Sequence, residues 1–163
     1  MDKRWIGILL ILIAGMSCMY VIVDNSNSVG NAITVISDVS IVVPPGLKIN
    51  GDNANDVTLL NKETNESIFI QCIDKNPKKE FNNEIKAFQN ANNVEMTNRS
   101  NSTLQIIDFK NIDTGQNTSF ILFKKAKHSF IMKMDNYHDM AKQDKEMTFV
   151  IDNLKPDYKQ NKG

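Results

Sequence analysis

Two histidines, two cysteines and one basic turn are the residues here whose types could carry chemistry. A hydrolase needs a nucleophile held beside a base. His128 opens an apolar run directly after KKAK, and His138 follows further along. Neither has a Glu or Cys at a spacing that metal ligands use, so both read as surface or hydrogen-bonded histidines. Cys72 falls in SIFIQCID and alternates with Ile68 and Ile70. That pattern reads as a small buried hydrophobe, because a reactive thiol wants an electropositive neighbourhood that the nearby sequence does not offer. Cys18 lies in a separate apolar run, so the two cysteines form no disulfide framework.

HDMAKQDKE carries Asp139, Asp144 and Glu146, but alternating charge on a helix marks a solvated face. GDNAND carries Asp52 and Asp56 without the central glycine and terminal glutamate of a calcium loop. The chain's 7 glycines are scattered and build no phosphate cradle. These residues give no catalytic set, no cofactor site and no metal site, and a non-enzymatic protein is expected. The sharpest charge cluster is KKAKH. Lys124, Lys125 and Lys127 there are either solvated at a hairpin tip or in electrostatic contact with an acidic partner or a lipid headgroup. Four Asn-x-Ser/Thr sequons, at Asn65, Asn98, Asn101 and Asn117, are candidate glycosylation sites where a cell has the machinery.

The elements that must position these residues begin with an anchor. Trp5–Val23 holds no charged residue, and at about 1.5 Å per helical residue it reaches roughly 28 Å, near the width of a bilayer core. Lys3 and Arg4 precede it, and Lys48 is the next basic residue after it. The positive-inside rule then predicts a single-pass anchor, N-terminus in the cytoplasm and the remainder outside the cell membrane. Two alternatives stay open. One is signal cleavage after Gly15-x-Ser17; the other is lipidation of Cys18 in GMSC, a passable lipoprotein box. Removing Asp2, Lys3 and Arg4 from the chain's 19 basic and 19 acidic residues leaves 17 and 18, which argues against nucleic-acid binding.

Residues 24–32 read as a juxtamembrane linker, 33–156 as one extracytoplasmic domain and 157–163 as a polar tail. Within the domain, ITVISDVSIVV reads as one extended stretch ending at Pro44-Pro45-Gly46, and GDNAND as a loop. DVTLL and ESIFIQCI form a hairpin. Asn76 and Pro77 start a helix with Phe81, Ile85 and Phe88 as its stripe, closed by Asn90, Asn92 and Asn93. STLQIIDFKNI, NTSFILFKK and HSFIMKM are further strands. A last helix begins near Asn136, buries Met140, Met147, Ile151 and Leu154, and stops at Pro156. The order predicts an α+β fold: a largely antiparallel sheet flanked by two helices, an α/β/α sandwich behind one transmembrane helix.

The run SIVVPPGLKI, the hairpin VTLLNKETNESIFIQCID, the helix EFNNEIKAFQNA, the meander to FIMKM and the closing helix resemble the PsbP/DcrB-like family, with its Mog1/PsbP-like fold. The likeness is strongest to small membrane-anchored versions in methanogenic archaea and covers roughly residues 39–156. Leu47 stands where many relatives carry Trp. The resemblance implies an α/β/α sandwich and a mostly non-enzymatic role, as an accessory module to another envelope protein. It carries over no catalytic residue. A small-ligand-binding or enzymatic domain is the alternative.

Overall fold

Alternation places the centre of the fold. The computed structural model describes residues 32–156. The strand Ser67–Ile73 (β5) buries every second side chain, Ile68, Ile70 and Cys72. It pairs with His128–Tyr137 (β9), so that Ile68 faces Met134, Ile70 faces Met132 and Cys72 faces Phe130. Asn117–Lys125 (β8) lies on the other side of β9 and is buried on both faces as far as Phe123, as a strand covered from both sides must be. Outward from this centre run Asp56–Leu60 (β4) and Lys48–Asp52 (β3) on one side, Leu104–Asn111 (β7) and Val94–Asn98 (β6) on the other. The order is β3-β4-β5-β9-β8-β7-β6, antiparallel throughout.

The two faces are covered differently. On one, Phe109, Phe120, Leu122 and Ile131 meet the helix Pro77–Ala91 (α1) through Phe81, Ile85 and Phe88. Three of these rings interlock, with centroids of Phe88, Phe109 and Phe120 at 5.1–5.9 Å and tilted or edge-on, the arrangement aromatic quadrupoles favour. On the other face, Ile68, Ile70, Ile121, Phe130 and Met132 pack with Met147 and Val150 of the helix Met140–Asn153 (α2) and with Leu154, which follows it. They also pack with Ile36, Val39 and Ile41 from a second sheet.

That second sheet corrects the expected sandwich. Among the described residues strands dominate and form two sheets, so the fold is mostly β rather than a single sheet between two helices. The stretch read as one extended segment folds back on itself as Ile33–Ile36 (β1) and Val39–Val42 (β2), with Ile36 opposite Val39. Ser37 (φ 46°) and Asp38 (φ 60°) both take the left-handed conformation that a two-residue hairpin turn needs. No glycine advertises the turn, so the β-branched run hides it. Lys155–Pro156 (β10) then pairs with Ser40 and Val39. Pro156 therefore ends the chain's last described strand, at a sheet edge where its missing N–H costs nothing. The expected transmembrane helix over Trp5–Val23 and the tail from 157 lie outside the described residues. Among the described residues no helix is long and apolar enough to cross a membrane.

Smaller departures have local causes. GDNAND contributes part of β3, with a register shift between Ile49 and Gly51. Asn76 does not cap α1 with its side chain; it turns into the left-handed region (φ 52°), and its carbonyl accepts from the Lys79 and Glu80 amides. Asn92 closes α1 from an extended conformation, its side-chain amide donating to the Phe88 carbonyl at 2.8 Å. Helix α2 starts at Met140 because Asp139 is its cap, accepting from the Ala141 amide at 2.8 Å. The abundant asparagines have structural work. The side-chain oxygens of Asn61, Asn101 and Asn111 each accept from backbone amides two and three residues on, forming three Asx turns at strand ends.

Candidate functional site

The β8–β9 hairpin carries KKAKH, and the fold sends its three lysines to different places. Lys127 Nζ pairs with Asp38 at 2.9 Å. Lys125 Nζ donates to the Ile151 carbonyl at 2.9 Å and ties the hairpin to α2. Lys124 is exposed and points along the α1 face. The cluster is therefore not one basic patch. Lys124 instead joins Lys78 and Lys79 from the first turn of α1 around a pocket of about 630 Å³. Of its apolar lining, Leu122 belongs to the core on the α1 side, whereas the Leu104 and Phe123 side chains pack into the core on the other face. Its polar wall is Asn101, Ser102, Thr103, Gln105 and Ser129. No carboxylate lines it. The pocket exists because α1 begins only at Pro77, leaving the sheet end beyond Leu122 uncovered. Lys78 and Lys79 were unremarkable in the sequence, as exposed positions of an amphipathic helix.

At the same end of the sheet, His128 meets residues far from it in the chain. Its Nε2 lies 2.7 Å from Asp38 Oδ1, and its Nδ1 lies 3.8 Å from Asp74 Oδ1. Cys72 is in reach as well: one donor atom from each of Cys72, Asp74 and His128 falls within 4.8 Å of the others. The Ser37 and Cys72 amides donate to the Ala54 and Asn55 carbonyls, each at 2.8 Å, which locks the β1–β2 turn against the end of β5. Burial pushes the Cys72 thiol up, with Asp74 and Asp38 adding to the rise against a Ser37 hydrogen bond. A hydrogen bond from Lys127, opposed by burial and aided by His128, holds the half-buried Asp38 carboxyl below the usual range.

A polar network lies under α2. Arg99 binds Asp108 through both Nε and Nη2 and Asp144 through Nη1 and Nη2, the last two at 3.0 Å. Asp108 is buried in the sheet and also accepts from the Ser119 hydroxyl. Lys142 pairs with Glu66, and Tyr137 donates to Glu146 at 2.6 Å. Asp144 and Glu146 are thus pairing groups and not members of a freely solvated face. Burial raises the Glu66 carboxyl, but hydrogen bonds from Lys142 and Thr64 outweigh it and hold it below the usual 4.5. Burial, then the Glu146 carboxylate, push Tyr137 far above the ordinary value of 10.

A raised folded pKa gives stability that is whole below the unfolded value and lost as pH rises past it. The denaturation midpoint should therefore hold steady to about pH 10 and then fall, in line with the reference tyrosine value. Tyr137→Phe should flatten that fall. Equal slopes in the two proteins above pH 10 would remove Tyr137 as the cause.

His138 is exposed. Asp52 accepts from Thr34 at 3.3 Å and Asp56 from Asn53 at 2.9 Å, so both serve as loop staples. Of the sequons, Asn65, Asn98 and Asn101 are exposed. Asn117 is buried, with its amide on the Tyr137 carbonyl at 3.2 Å, which leaves no room for a glycan in the folded domain.

No family model and no curated protein matches the chain, so the resemblance to the PsbP/DcrB-like family gains no support there. Among solved structures, the chain is similar to LpqN, described as involved in cell envelope biogenesis of Mycobacterium tuberculosis. The identity is 7% and the TM-score 0.33, over 76% of this chain and 80% of that one. At that TM-score the likeness carries no argument about what this chain does.

Proposed function

We propose that this chain is a non-catalytic binding module of the cell envelope, held at the membrane by the apolar run Trp5–Val23 with its folded domain outside. Its ligand, a molecule or an envelope-protein segment with an acidic group and an apolar body, sits in the lysine-rimmed pocket. The observation that carries this reading is the pocket's lining: Leu122 and Pro77 as apolar residues on the α1 side, three lysines at the rim and no carboxylate. A volume of about 630 Å³ suits a small ligand or a few residues of a partner. The lysines supply attraction and orientation, and Leu122 and Pro77 supply apolar burial at roughly 25 cal/mol per Å². Attachment to the membrane raises the local concentration of an envelope partner, so modest affinity suffices.

The test uses the full chain in neutral detergent and a fluorescent medium-chain fatty acid as probe. Saturable binding that weakens with salt is expected. Lys78→Glu combined with Lys124→Glu should weaken it at least tenfold while leaving the melting temperature within a few degrees, because both side chains are exposed. Equal binding of the fatty alcohol of the same length would sink the role of charge, and no saturable binding of either would sink the pocket. A membrane protein that co-purifies with the wild type and not with the double variant would place the acidic group on a partner.

A further inference from the structure

We propose that Cys72, Asp74 and His128 form a three-ligand site for a divalent transition metal of the zinc type, with Asp38 as the carboxylate behind the histidine. The site is separate from the ligand pocket and does not depend on it. Three elements build it. Cys72 lies in β5, Asp74 just beyond its end, and His128 at the start of β9. Asp38 reaches in from the β1–β2 turn, 90 residues away in the chain.

The donor atoms fit a tetrahedral ion. Bonds of about 2.0–2.3 Å to nitrogen, oxygen and sulfur imply donor-to-donor edges of roughly 3.3–3.8 Å. His128 Nδ1 and Asp74 Oδ1 stand 3.8 Å apart, too far for a hydrogen bond and a few tenths of an ångström wider than a nitrogen–oxygen edge. All three donors lie within 4.8 Å of one another, so closing the remaining gap takes about 1 Å of side-chain movement. Asp74 can make that movement, since its side chain is 74% exposed, whereas His128 at 14% is held.

The histidine is oriented as a ligand. Asp38 is an acceptor, so Nε2 must carry the proton that it shares with Asp38 at 2.7 Å. Nδ1 then keeps its lone pair and faces Asp74. Carboxylate behind imidazole is the usual support of a metal-bound histidine. On binding, the metal takes the Cys72 sulfur as thiolate, the thiol proton leaves to solvent, and the Nδ1 lone pair and one Asp74 oxygen complete three bonds. The fourth position opens to water on the exposed Asp74 side. The sulfur and nitrogen donors select zinc, cobalt or nickel over calcium or magnesium, which take oxygen ligands.

Cobalt(II) titrated into the full, reduced chain in neutral detergent is the first probe, followed by displacement with zinc. One equivalent should give a thiolate-to-cobalt charge-transfer band and a strong visible band of tetrahedral type, both erased by zinc. Cys72→Ser should lose the charge-transfer band. Asp38→Asn should keep it but bind 10–100-fold more weakly, the usual effect of removing such a support. Because Cys72→Ser removes a buried side chain, a measurement on the wild type stands beside it. Zinc should slow alkylation of Cys72, read peptide by peptide so that Cys18 does not interfere. No charge-transfer band in the wild type, or alkylation of Cys72 unaffected by saturating zinc, would overturn the site.

Discussion

Phe130→Ala should cost about 4 kcal/mol, the middle of the range for truncating a fully buried phenylalanine. Phe130 is fully buried on the middle strand of the seven, opposite Cys72 on β5 and Phe123 on β8. Its ring stacks on Phe123 at 5.5 Å between centroids. The truncation opens a cavity where both neighbouring strands, tied by ladder hydrogen bonds, cannot move in to fill it. A domain of this size has about 5–15 kcal/mol in total, so the variant should melt some 10–20 °C lower. Phe130→Leu should recover most of the loss, since it restores most of the volume. Urea denaturation followed by circular dichroism reads both. A cost below 1.5 kcal/mol for the alanine variant would mean that the sheet centre relaxes around the gap.

Arg99→Ala has the second largest expected effect, about 3 kcal/mol, typical of breaking a buried charge pair from one side. Arg99 connects Asp108, buried in β7, to Asp144 on α2. Its removal leaves Asp108 inside the protein with the Ser119 hydroxyl alone and removes one tie, at Asp144, between α2 and the sheet. The cost comes chiefly from the stranded carboxylate. Asp108→Asn in the Arg99→Ala background should therefore restore at least 1 kcal/mol, since a neutral amide is far cheaper to bury. Arg99→Lys should not rescue, because an ammonium lacks the planar fork that grips two carboxylates at once. Independent, additive costs for the two substitutions would show that the stranded Asp108 carboxylate is not the source of the loss.

What was legible in the sequence was local. Alternation in Ser67–Ile73 and the spacing of Phe81, Ile85 and Phe88 name a strand and a helix with their buried sides, because period alone decides which side chains share a face. The sequence places the start of the last helix near Asn136, a few residues before its cap at Asp139, and the stripe beneath it includes Gln143 and Val150. A buried glutamine breaks the apolar pattern that would have revealed it.

The resemblance that suggested a single-sheet sandwich also rested on element order, and order does not say how many sheets the strands make. The turn at Ser37-Asp38 decides that; both are turn-favouring types, but with no glycine and inside a β-branched run they read as continuous strand. The anchor reading of Trp5–Val23 came from length and flanking charge alone, and lies outside the described residues. The candidate sites belong to the tertiary structure entirely. Lys78, Lys79 and Lys124 share a pocket because α1 starts short of the sheet end, and Cys72, Asp74, His128 and Asp38 share a corner because β5 pairs with β9 in one register and the β1–β2 turn docks over both. The sequence alone determined which residues are apolar, charged or turn-forming, since those are properties of single side chains and their near neighbours. Which of them meet was set by strand register and by packing between elements up to 90 residues apart, and no local pattern encodes such contacts.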